Sequence, residues 1–205
     1  MNSSRQAGRG RLCAIRALGV GALMAALGVA RSESMLTGGL TSQPIGHYEF
    51  CKLNPAECRI RTRDTGPEHM TGEVWRAIVA VNVGVNAAIT PMNDFDLYGA
   101  DEVWAYPNGV GDCEDYVLEK RRQLMRRGLA LSNLLITVVR KPDGEGHAVL
   151  TVRTTAGDFV LDNLTDEVRQ WQLTGYRFLK RQAADYTGHW VSIREGNEAL
   201  VSSVH

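Results

Sequence analysis

The chain has 205 residues, 44% hydrophobic and 22% charged, the composition of a folded domain with its own core and not of a disordered tail. Its 23 basic and 23 acidic residues cancel, and no basic block tracks a phosphate backbone, so nucleic acid is excluded as a partner. The densest basic run, Lys120-Arg121-Arg122 with Arg126 and Arg127, has the spacing of a helix's solvated face.

Residues 1–30 read as a secretory signal peptide. Arg5, Arg9, Arg11 and Arg16 come first with no acidic residue among them, and an unbroken small or apolar run follows from Ala17 to Ala30. Gly28-Val29-Ala30 offers small residues for cleavage. The run is short for a bilayer, so the mature form is expected to carry no transmembrane segment; an uncleaved anchor is the alternative. Cleavage removes four arginines and leaves a net charge of −4.

Residues 31–50 are rich in Gly, Ser and Thr and lack a period, which predicts a flexible N-terminal arm before a domain at 51–205. Cys51 to Met70 is polar and predicts a loop. Within it FCKLNPAEC spaces Cys51 and Cys58 seven apart. Such a ring closes easily in an oxidising compartment, stabilising by roughly 2–3 kcal/mol in the chain-entropy picture. A zinc pair is the alternative, although no second close pair completes four ligands. Cys13 leaves with the signal, so Cys113 is the odd thiol.

Val74, Trp75, Ile78, Val79, Val81, Asn82 and Val85 recur at three and four, predicting a helix capped by Thr71. Ile89 to Gly111 is turn-rich; its Asp94, Asp96, Asp101 and Glu102 read as solvated acids. A second helix opens at Asp112 as N-cap, with Glu114 and Asp115 in the first turn, and stops at Gly128. Three strands follow in meander order: Leu134–Val139, His147–Thr154 and Asp158–Leu161. Tyr176–Ile193 offers one or two more. His47 and His69 fall in polar loops.

The second helix sets Cys113 between Asp112 and the Glu114-Asp115 pair. Negative neighbours keep a thiol protonated, whereas backbone amides at a helix start lower its pKa. Chain order adds a second clue. A cysteine opens a helix, His147 opens a strand, and Asp162 closes the next strand. That is the set for thiol acyl transfer: nucleophile, base, and an acid that orients the ring.

At these residues the chain resembles the bacterial transglutaminase-like cysteine peptidases, specifically the periplasmic LapG-like group. The matching pieces are DEVWAYPNGVGDCEDYVLEKRRQLMRRGL, GHAVLTVRT and GDFVLDNL, with VWRAIVAVNVGVNAAI upstream carrying paired asparagines, Asn82 and Asn86. The resemblance implies an α+β fold, papain-like in its transglutaminase-core variant, with N-terminal helices packed on an antiparallel sheet. It implies Cys113 as nucleophile, His147 as base, Asp162 as orienting acid, and a bridged Cys51–Cys58 pair. It further implies a Ca2+-dependent periplasmic endopeptidase that releases a large surface adhesin by cutting near its N-terminus. An inner-membrane cyclic di-GMP receptor would sequester it. Calcium answers the crowding at Cys113, because a hard cation takes carboxylate oxygens; Asp112 and Glu114, then Asp115, are the expected ligands, with Asp94, Asp96 or Asp101 near. Backbone amides at the helix start would hold the oxyanion, with Asn93 or Asn108 as side-chain candidates. A transglutaminase or other thiol acyl transferase on the same core is one rival, and a non-catalytic calcium-binding or adaptor module is another.

Overall fold

The computed structural model describes residues 33–194. The signal-peptide reading lies outside them. Among the described residues no helix is long and apolar enough to cross a membrane.

The helices are α1 (Ile45–Leu53), α2 (Pro55–Cys58), α3 (Gly72–Ala88), α4 (Asp94–Tyr98) and α5 (Cys113–Arg126). The strands are β1 (Thr37–Thr41), β2 (Thr90–Pro91), β3 (Val110–Gly111), β4 (Leu134–Arg140), β5 (Gly146–Thr154), β6 (Gly157–Asp162), β7 (Thr165–Gln170), β8 (Arg177–Gln182) and β9 (Trp190–Ile193). Seven of them form an antiparallel sheet in the order β1-β9-β8-β4-β5-β6-β7. Helices α3 and α5 pack on it. This is the α+β arrangement expected, helices first and sheet second.

The central strands are apolar on both faces, and alternation divides them. Leu134, Ile136, Ala148, Leu150, Val152 and Leu161 join Ile78, Val81 and Val85 of α3 and Val117 and Leu124 of α5 in the main core. Val139, Val149 and Val160 point the other way, into a smaller cluster with Met35, Phe178 and Ile193. Thr71 caps α3, its Oγ1 accepting the Val74 N–H at 3.1 Å. Gly128, with φ of 92°, ends α5 in the left-handed conformation that glycine tolerates.

Three expectations need correction. The segment read as a flexible arm is built into the fold. Thr37–Thr41 pairs with β9, and α1 starts at Ile45 and runs into the segment read as a loop, where α2 follows. Extended backbone on a sheet edge needs no side-chain period, so the Gly-rich sequence hid it. His47, assigned to a polar loop, is buried in α1; its Nδ1 accepts the Trp190 Nε1–H, and the Cys51–Cys58 disulfide lies against its ring. The run Lys120-Arg121-Arg122 is not a solvated face. Lys120 and Arg121 are both buried, with Arg121 Nε donating to the Leu134 carbonyl. Their alkyl stems pack as apolar chains do, which a count of charges misses.

The residues between α3 and α5 are closed into a loop by a two-residue parallel ladder, Thr90 against Val110 and Pro91 against Gly111. Gly111 is there because a Cβ would sit 2.5 Å from Asp115 Oδ2 and 2.8 Å from Asp115 Cβ. Gly111→Ala is therefore expected to push the start of α5 out of place and cost about 1–3 kcal/mol, measurable by urea unfolding.

Candidate active site

Cys113 is the first residue of α5 and the free cysteine among the described residues, partly buried. It lines a cleft of about 470 Å³ with His147, Ala148, Trp104, Glu102, Ile45 and Lys180, among others. Asp112 occupies the N-cap position, yet its side chain makes no capping hydrogen bond. Cys113 Sγ donates to Glu114 Oε2 at 2.9 Å, and no hydrogen bond joins it to the ring of His147. Burial, then the charge of Glu114 and that hydrogen bond, push the thiol well above its ordinary pKa; the Ala148 backbone N–H works the other way. In this state the sulfur is a protonated, slow thiol.

His147 and Asp162 do meet. Asp162 lies opposite the same-face neighbour of His147, because Leu150 pairs with Leu161 and the register continues. The two are thus diagonal neighbours on one face at the ends of β5 and β6 away from their turn. Nε2 of His147 stands 2.9 Å from Asp162 Oδ1. Nδ1 is left free. Asp162 also accepts from the Leu164 N–H at Oδ1 and from the Tyr176 hydroxyl, 2.6 Å away, at Oδ2. Burial alone would raise its pKa, but the hydrogen bond and charge of His147 and these further donors outweigh it, and the carboxyl is held below the usual range. The Tyr176 ring packs edge-on to His147.

The carboxylates sort into two kinds. Oxygens of Asp94, Asp112 and Glu114 lie within 4.8 Å of one another. Asp94 Oδ1 and Asp112 Oδ1 are buried and accept no hydrogen bond among the described residues. Burial, then the charge of Asp94, raises Asp112 to about 6; burial, then Asp112, raises Glu114 to about 8. Asp94 is raised as well, mainly by burial, while its Oδ2 accepts the Val103 N–H. Three crowded acids with orphaned oxygens are a hard, all-oxygen donor set, which fits a calcium ion. Asp115, expected as a ligand, is not in this group; its Oδ1 accepts the Ala105 N–H at 2.8 Å, and burial raises it to about 7.

The family model for the bacterial transglutaminase-like cysteine proteinases matches residues 37–198, most of the chain. This protein belongs to that family. Among solved structures it is similar to calcium-bound LapG of Legionella pneumophila, at 25% identity and a TM-score of 0.51 over 60% of this chain and 72% of that one. Legionella pneumophila LapG in a second structure gives 21% identity and the same TM-score, covering 78% of this chain and 86% of that one. An EGTA-treated form gives 20% and 0.50 over 78% and 87%, a likeness of fold. No curated protein matches the chain.

Within this cysteine proteinase frame, sequence reasoning missed two residues. Tyr176 was read only as part of a late strand, although its hydroxyl is on Asp162. Asp94 is expected only as one of three acids that could lie near the ion, not as a ligand; its place three residues after the Thr90–Pro91 ladder, with Asn93 before it as a helix cap, was the usable signal. Asn93 itself is engaged in that cap, its Oδ1 accepting the Asp96 N–H and its Nδ2 donating to Asp96 Oδ2.

Proposed function

We propose that the protein is a calcium-dependent periplasmic cysteine endopeptidase that cuts the N-terminal region of a large surface adhesin and so controls attachment and biofilm. Family membership and the calcium-bound Legionella protein support the class. The observation that carries the mechanism is the His147–Asp162 hydrogen bond opening onto the same cleft as the free thiol of Cys113. An inner-membrane receptor for cyclic di-GMP is the expected regulator.

Asp94, Asp112 and Glu114 are the residues that would hold calcium. Bound there, the ion supplies positive charge that offsets the carboxylate field on the thiol and ties α4 to the start of α5. The chain's own groups then do the rest. Nδ1 of His147 takes the thiol proton, and the sulfur of Cys113 attacks a backbone carbonyl carbon. Backbone amides at the start of α5 receive the oxyanion. As the C–N bond breaks, His147 returns its proton to the leaving amine. It next takes a proton from water, which cleaves the thioester and frees the thiol. Asp162 keeps the ring in the tautomer whose Nδ1 is unprotonated and able to receive that proton.

Incubation with adhesin N-terminal fragments, with and without calcium, tests the reading. Discrete fragments in calcium are expected; crosslinks to an added amine instead of fragments would make the protein a transferase, and neither product would leave a binding module. Asp162→Asn preserves shape but loses the fixed tautomer, and kcat is expected to drop by roughly 10²–10⁴-fold.

A further inference from the structure

Behind Asp162 lie three polar side chains, two buried and one half-buried, that the acyl-transfer chemistry does not use. Asn82 and Asn86 stand one turn apart on α3. Nδ2 of Asn86 donates to the Asp162 carbonyl at 3.0 Å, the Thr165 carbonyl at 3.2 Å and Asp166 Oδ1 at 2.9 Å. Nδ2 of Asn82 donates to the carbonyls of Thr165 and Asp166 at 3.0 and 3.1 Å. Every donor of the pair is spent on the corner where β6 turns into β7. That corner is irregular: the β6–β7 ladder slips register between Val160 and Asp162, and beyond the slip Asp162 is paired only with Thr165 across the turn.

The third side chain is Lys120, which enters from α5. It is wholly buried, its Nζ has no hydrogen-bond partner among the described residues, and it stands 5.7 Å from the centroid of the Tyr116 ring. A lysine is almost never buried without a counter-charge. Burial lowers its pKa to about 7, and the charges of Asp162 of β6 and Asp166 of β7, the two acids of the same corner, work against that fall; Tyr116 is the titratable group on its own helix. The Oδ1 atoms of Asn82 and Asn86 are also buried without a partner.

We propose that Asn82, Asn86 and Lys120 are positioning residues that clamp the Asp162–Asp166 corner and thereby aim the Asp162 carboxylate at Nε2 of His147. The proposal rests on the Cys113–His147–Asp162 reading. Without the Asn86 donors the Asp162 carbonyl loses this side-chain partner and the Thr165 carbonyl keeps only Asn82, so the backbone at Asp162 relaxes and its side chain no longer holds the ring. Without Lys120 the buried Asp162 loses the side chain that brings positive charge to it from α5.

The test uses the full mature chain in calcium. The proton between His147 Nε2 and Asp162 is followed as a downfield proton resonance in resting protein, with no substrate added. Kinetics on an adhesin N-terminal fragment and thermal melting run beside it. In Asn86→Ala the resonance is expected to broaden away, and kcat to drop at least about tenfold with KM within about twofold. Lys120→Met, which keeps the volume, is expected to shift the resonance and lower kcat in the same sense. Should Asn86→Ala not fold, Asn82→Ser and Lys120→Met decide. An unmoved resonance with kcat per folded molecule unchanged, whatever the melting temperature does, overturns the proposal. Cys113→Ala separates the two ideas: it ends cleavage but leaves the resonance in place. If the wild type cleaves nothing, the triad reading fails, while the resonance still judges the clamp.

Discussion

Cys113→Ala is expected to lower cleavage by roughly 10⁴–10⁶-fold while the melting temperature, calcium binding and circular dichroism stay as in the wild type. The size of the effect follows from covalent chemistry. In the proposed mechanism the sulfur is the atom that bonds to the substrate, and among the described residues no other free thiol exists to replace it. The fold is spared because the side chain is small, sits at a helix start and only skirts the main core. A faster reporter is alkylation by iodoacetamide at pH 6. In chelator the thiol is protonated by burial and by Glu114, so labelling is expected to be slow; in calcium it is expected to quicken. Equal rates in both would sever the link between the acids and the thiol.

The second large effect concerns those acids. In chelator, the melting temperature is expected to fall as pH rises from about 5 to 8. The sign follows from proton uptake. Unfolded carboxylates lose their protons near pH 4, whereas folded Asp112 and Glu114 hold theirs to about 6 and about 8. Between those values the native state binds more protons than the unfolded one, so stability is present at low pH and lost as pH rises through the folded pKa values. Calcium is expected to abolish the fall, and its affinity to strengthen with pH, because the ligands must be deprotonated. The double variant Asp112→Asn with Glu114→Gln is expected to flatten the pH dependence in chelator, remove calcium binding by calorimetry, and reduce cleavage to the level seen in chelator. Full cleavage in excess chelator would remove calcium from the mechanism.

Much of this site was legible because its signals are local. A polar N-cap, acids in a first turn and a terminal glycine placed α5 and hence Cys113. A β-branched run with tight turns placed β4 to β6, and with them the adjacent strand ends that carry His147 and Asp162. What escaped was decided by distant partners. Asp94 joins the cluster only because a two-residue ladder folds its loop back. Lys120 and Arg121 look solvent-facing by charge, and only packing against α3 and the sheet shows them inside. β1 has no pattern of its own, since β9 supplies its hydrogen bonds from the far end of the chain.

That last pairing governs when the cleft can exist. Pro44 and Ile45, which wall it, follow directly on β1, and the Ser42 carbonyl is held by the ammonium of Lys180. The wall is synthesised early, but the strand it leans on emerges last. Cys113, His147 and Asp162 therefore all precede in the chain the strand that completes the groove beside them. Completion of the groove is thereby tied to the last described strand, so a shortened chain lacking β9 would keep all three residues and lose the wall beside them.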